Sequence, residues 1–165
     1  MFMDSKGWFA AEYVMLAGFV FLIACSMAFF IGKTNELNQA MAAARTGALE
    51  GAVADSIAVY PDVTFKSYLS NHTDLLLPSS VKIIKVDYED QGFNSTYNRT
   101  KIKLIIHATS PSIKLEDRNY VGERINFGAR KSICEVFKTQ NLTNSMFNPA
   151  YSDRYVFTTG WVVWE

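Results

Sequence analysis

The chain has 165 residues, and its 16 Lys+Arg are balanced by 16 Asp+Glu, for a formal net charge of zero. That balance argues against nucleic acid as a partner, because phosphate binding needs a basic excess. The two cysteines, Cys25 in an apolar run and Cys134 far along the chain, make no disulfide framework, and each reads as a small packed residue.

The first expected element is long. Residues 8–60 contain no proline, and from Tyr13 to Ile31 no side chain is charged. At about 1.5 Å per residue such a segment spans roughly 28 Å as a helix, close to one hydrocarbon core. From Lys33 onward the pattern turns amphipathic: Leu37, Met41, Ala44, Ala48 and Ala52 recur at helical spacing, widened by Leu49, Val53 and Ile57. The expectation is one continuous helix over 8–60, apolar all round in its first half and on one face in its second. Pro61 ends it. The stripe over 45–60 is expected to cover the sheet of its own domain, or else to pack against other subunits. Gly18 and Gly32 suit close helix approach or local unwinding. Each helical glycine also weakens the helix by about 1 kcal/mol.

After Pro61 the pattern is that of a small folded domain. Residues 62–80 read as loop with a short helical turn. Val81–Glu89 alternates, with Ile84, Val86 and Tyr88 on one face; Thr100–Thr109 alternates with Ile102, Leu104, Ile106 and Ala108 opposite Lys101, Lys103 and His107. A polar turn over 90–98 joins them as a hairpin. Residues 117–138 carry Val121, Ile125, Ala129, Ile133 and Val136 at helical spacing, although Gly122 and Gly128 weaken the helix and the odd-numbered residues also suit a strand; helix is the reading adopted. Residues 141–153 form a loop with Asn148-Pro149 as its turn, and Arg154–Trp164 is a final strand with Tyr155, Phe157 and Trp161 on one face. The expected class is α+β: a long N-terminal helix, then a small antiparallel sheet domain with one further helix. The divisions are a 1–7 leader, an 8–60 helix and a 61–165 outer domain.

Four Asn-x-Ser/Thr sequons, at Asn71, Asn94, Asn98 and Asn141, all fall after Pro61, as suits an exported and N-glycosylated region. Catalytic patterns are missing. His72 and His107 stand far apart and read as exposed histidines, and no Cys/His spacing suits zinc. Glu89/Asp90 and Glu116/Asp117 lack a calcium loop, and neither a glycine-rich phosphate loop nor a serine elbow is present. No enzyme activity, cofactor or metal is expected.

The start of the helix carries the most specific signal. Lys6-Gly7 precedes Trp8-Phe9-Ala10-Ala11-Glu12-Tyr13, and the apolar run follows at once. This resembles the class III signal peptides of archaeal type IV pilin-like proteins, and the stretch from Asn35 to Arg45 is similar to the continuation in such proteins from methanogens. The resemblance covers residues 6–60. It implies cleavage by a prepilin peptidase between Gly7 and Trp8, with Glu12 as the fifth mature residue. Many members carry Gln or another polar residue where this chain has Trp8. It also implies an assembly platform and other copies or related pilins as partners, and membrane lipid around the helix before assembly. The expected location is a single-pass membrane precursor with its C-terminal domain outside, and then a surface filament. Glu12 has a physical rationale of its own. A carboxylate near the start of a membrane helix costs up to about 3 kcal/mol at mid-bilayer and less near the interface, and the amine that cleavage exposes on Trp8 would stand one helical turn away. Leu22-Ile23-Ala24-Cys25 looks like a lipoprotein lipobox, but the apolar run continues to Ile31, which a lipoprotein signal does not require. The competing functional class is an uncleaved single-span surface protein whose domain binds a ligand.

Overall fold

The computed structural model describes residues 5–53, 81–111 and 113–165. The expected helix end at Pro61, the loop over 62–80, Asn71 and His72 lie outside the described residues. Two compact units divide the chain, Met1–Leu37 and Asn38–Glu165.

Helix α1 runs without a break through Ser5–Val53. Its apolar part, in the first unit, is long and apolar enough to cross a membrane, and none of that window is buried within the protein. Tyr13, Phe19, Phe21, Phe29 and Phe30 are all exposed. The hydroxyls in and after this stretch are satisfied within the helix: Ser26 Oγ donates to Leu22 O at 2.8 Å and Thr34 Oγ1 to Phe30 O at 3.0 Å. These bonds spare the apolar surface any call for water.

In the second unit α1 buries a face made of the smallest side chains: Ala40, Ala43, Ala44, Gly47, Ala48, Gly51 and Ala52. This corrects the expected stripe, since Leu49 and Val53 are exposed and Met41 only half-buried. The reason is the closeness of the neighbouring helix, α2 (Arg118–Val136). A Cβ added at Gly47 would overlap the carbonyl of Gly128, and one at Gly128 would overlap the carbonyl of Gly47. At Gly51 it would stand 2.7 Å from Arg124 O. Backbone meets backbone at this crossing, so only small residues fit. Arg124, buried on α2, donates from Nε to Gly51 O at 2.6 Å and from a terminal nitrogen to Ala52 O at 3.3 Å.

The sheet has five strands: β1 (Lys82–Asn94), β2 (Arg99–Thr109), β3 (Ala150–Tyr151), β4 (Tyr155–Thr159) and β5 (Val163–Trp164). β1 and β2 form the expected antiparallel hairpin, and α2 occupies the span expected of a helix. The expectation of an all-antiparallel sheet is corrected: β4 and β5 both pair parallel to β2, and β3 pairs antiparallel to β4, so the sheet is mixed. The chain comes back from α2 to the far edge as β3, opposite in direction to β2, and the β3–β4 hairpin then reverses it so that β4 lies parallel to β2. The single final strand expected over 154–164 is likewise two short ones, parted at Gly160, whose N–H donates to Leu104 O at 2.9 Å. A register shift falls between Ile83 and Lys85, and of the residues expected to share a face Ile84 and Tyr88 are exposed while Val86 is half-buried.

The core lies between the sheet and α2. Ile102, Leu104, Ile106 and Ala108 of β2 join Val156 and Phe157 of β4 and Val121, Ile125, Ala129 and Ile133 of α2, all buried. Helix α2 ends in a Schellman closure, with Thr139 N–H on Cys134 O at 2.9 Å and Lys138 N–H on Glu135 O at 3.3 Å, while Lys138 takes φ 55°.

Candidate functional site

The expected site residues fall on two separate units. Gly7, Trp8 and Glu12 lie on α1, and Glu12 is exposed, one residue before the charge-free run opens at Tyr13. Nothing interrupts the helix between Gly7 and that run. Cys25 is exposed on the same helix and Cys134 is buried in the domain; both are free thiols. Cys25 is thus not packed within its own chain, contrary to expectation, whereas Cys134 is. Burial pushes the Cys134 thiol above its ordinary pKa, against the opposing pull of hydrogen bonds at Tyr151 and Thr139.

Three of the four sequons are described. Asn94 is half-buried, and its Oδ1 accepts from the N–H groups of Thr96 (3.0 Å) and Tyr97 (3.3 Å). Asn98, at φ 51°, and Asn141, in a short 3₁₀ turn (Gln140–Leu142), are exposed. The turns that carry Asn98 and Asn141 meet at one shallow cleft of about 280 Å³, where Tyr97, Arg99, Leu142 and Tyr151 come together. Arg99 stacks there, 5.4 Å above the Tyr151 ring. Sequence reading found the sequons but not this convergence, which depends on how two distant turns fold back.

His107 also departs from expectation. Its side chain is only 16% exposed, with Nδ1 2.8 Å from Glu165 Oε1 and Nε2 3.5 Å from Asp87 Oδ2. An ionised carboxylate only accepts, so Nδ1 carries a hydrogen toward Glu165. Glu165 is tied further to β2, its carbonyl accepting from Thr109 Oγ1 at 2.6 Å. Asp87 also meets Lys85 at 2.7 Å, and the hydrogen bond between them holds the carboxyl below and the ammonium above its usual range. Trp161, expected to share one face with Tyr155 and Phe157, is 72% exposed, whereas those two are buried.

That tryptophan stands at the edge of a pocket of about 430 Å³, which α2 lines with Glu123, Asn126 and Arg130, and the end of β4 with Thr159 and Gly160. The volume falls within the range of about 300–1,000 Å³ usual for small-molecule sites. Among the described residues no three His, Cys, Asp or Glu gather as a metal site would require. No protein-family model, curated protein or solved structure matches this chain.

Proposed function

We propose that this chain is a structural subunit of an archaeal type IV pilus-like filament, cut by a prepilin peptidase between Gly7 and Trp8 and assembled through α1. The observation that carries the reading is the exposed, charge-free helical surface from Tyr13 to Ile31, placed directly behind Lys6-Gly7 and Glu12. So much apolar surface needs a cover. Lipid covers it before assembly, and the helices of other copies or related pilins cover it afterwards. The exposed bulky side chains supply the contact area, and the self-satisfied hydroxyls of Ser26 and Thr34 leave no polar demand within it. In an apolar filament interior an uncompensated carboxylate is strongly penalised, so Glu12 fixes axial register by meeting the amine of Trp8 on its own or a neighbouring subunit. An assembly platform then draws subunits from the membrane, and the Asn38–Glu165 unit, glycosylated on its sequons, forms the outer surface.

A second reading is an uncleaved single-span surface protein that binds a ligand, and the pocket beside Trp161 favours it. Intact mass and N-terminal sequencing of the protein from its native envelope separate the two. A chain beginning at Trp8 supports the filament subunit. Retention of Met1–Gly7 overturns it in favour of the anchored binder, and a lipid-modified Cys25 overturns both in favour of a lipoprotein.

A further inference from the structure

The cleft between the β1–β2 turn and the 3₁₀ turn brings two sequons to one surface. Thr96, Tyr97 and Arg99 of its wall belong to the turn that carries Asn98, Leu142 stands next to Asn141, and Tyr151 comes from β3. Tyr97 and Tyr151 meet edge to face, with ring centroids 6.1 Å apart, and Leu142 is 51% exposed beside them. Arg99 donates from Nε to Ser152 O at 3.0 Å and from a terminal nitrogen to Tyr97 O at 3.3 Å. A guanidinium has five N–H donors, more than these two carbonyls use. Both turns are held in place. Asn94, half-buried, shapes the first one through its Oδ1, which accepts from Thr96 and Tyr97 N–H, while Asn98 stays exposed at a left-handed φ of 51° that asparagine tolerates. In the second, Leu142 N–H donates to Thr139 O at 3.0 Å and Thr143 Oγ1 to Pro149 O at 2.7 Å.

The volume, about 280 Å³, falls just short of the range of about 300–1,000 Å³ usual for a free small molecule. A tethered occupant needs less, because the tether holds it at high effective concentration. Asn98 is flanked in sequence by two residues of the wall, Tyr97 and Arg99, so a sugar attached there starts beside the cleft. A pyranose carries a face of C–H bonds for Tyr97, Tyr151 and Leu142, and oxygens for Arg99. We propose that Asn98 carries an N-linked glycan whose first sugar is seated in this cleft. The attachment joins Asn98 Nδ2 to the anomeric carbon of a lipid-phosphate-linked saccharide; the carbon–oxygen bond to phosphate breaks, the lipid phosphate leaves, and the amide proton passes to a base of the transferase. The proposal rests on the reading above of an outer unit glycosylated on its sequons, and adds to it the sequon used and the surface the sugar covers.

The test takes the full chain from its native envelope as wild type, Thr100→Val and Thr100→Ser, and reads each by glycopeptide mapping and amide hydrogen exchange. Thr100→Val removes the sequon but keeps Asn98, whereas Thr100→Ser keeps both. Wild type and Thr100→Ser are expected to carry the glycan on Asn98. Thr100→Val is expected to lose it and to exchange about threefold to tenfold faster in the Gln140–Leu142 turn, as the loss of one ring contact gives, with the interior of β2 unchanged. Asn98→Asp also removes the acceptor amide and tolerates the left-handed backbone. It is expected to match Thr100→Val, and it decides the matter if the valine disturbs the sheet. A glycan on Asn98 whose removal leaves the Gln140–Leu142 turn unchanged overturns the seat. Glycans on other sequons but not on Asn98 overturn the assignment while the reading of a glycosylated outer unit stands. A chain with no glycan on any sequon overturns that reading together with the proposal.

Discussion

At the scale of single residues, the glycines of α1 separate into two kinds. A Cβ at Gly18 would meet nothing within 4 Å, whereas one at Gly47 would run into the Gly128 backbone. Replacing a helical glycine with alanine gains about 1 kcal/mol of propensity, and forcing a close-packed contact apart loses about 1–3 kcal/mol. A backbone cannot swing aside as a side chain can, so the loss wins at Gly47. Gly47→Ala and Gly128→Ala should each lower the thermal midpoint of the detergent-solubilised chain by several degrees, while Gly18→Ala leaves it unchanged or higher; calorimetry or circular dichroism reads the difference. The sequence shows where these glycines are but not what they face. Gly47 gains its role from Gly128, 81 positions on, a pairing that no local periodicity reports. Cys134 allows a second test. Burial raises its pKa, so the thiol stays protonated at neutral pH and its reactive thiolate is scarcer than in the unfolded chain. Maleimide labelling of Cys134 in a Cys25→Ser background should be slow in the native protein, rise with pH, and become rapid in denaturant. Rapid native labelling would show that the site opens.

Elements differ in how far the sequence announces them. Period-two alternation marked the β1–β2 hairpin, most clearly in β2, where Ile102, Leu104, Ile106 and Ala108 are buried in turn, and period 3.6 marked α2 despite its glycines. Strand direction is not written in alternation. The parallel pairing of β4 depends on β3, a two-residue strand that reverses the chain just before it and is too short for alternation to report. The break at Gly160 and the irregular register at Ile84 are defined only by the paired strands. β5 is two residues long, too short to hold by its own ladder, and the contacts of His107 and Thr109 with Glu165 fasten it. Truncating His107 to Ala should speed amide exchange at Val163–Glu165 while leaving the interior of β2 protected. Uniformly faster exchange would mean that the histidine supports the whole sheet. The Lys85–Asp87 pair beside it is about half exposed and open to solvent screening, so its contribution is small. The carboxylate's share is present above the ordinary carboxylate range and is lost as pH falls through its lowered pKa. The lysine's share is present below the ordinary ammonium range and is lost as pH rises through its raised one.

At the scale of the whole molecule, the proposed filament makes Glu12 the residue whose loss is felt only in assembly. Glu12→Gln should leave the Asn38–Glu165 unit folded and the chain in the membrane, yet abolish or sharply reduce filaments seen by electron microscopy of cells. Normal filament numbers would remove the register role assigned to the carboxylate. The sheet topology imposes a different constraint, on timing. The centre strand, β2, is made early, but one whole side of it stays open until β4 and β5, more than fifty positions later in the pairing of Thr100 with Tyr155, arrive to close it. Long-range parallel pairing of this kind is slow and leaves a bare strand edge in the meantime. A chain emerging N-terminus first therefore holds its helix ready well before its domain can be finished. Any copy interrupted before residue 155 would present an open β2 edge to its neighbours, and the cell has reason to remove such a copy before it reaches the proposed filament.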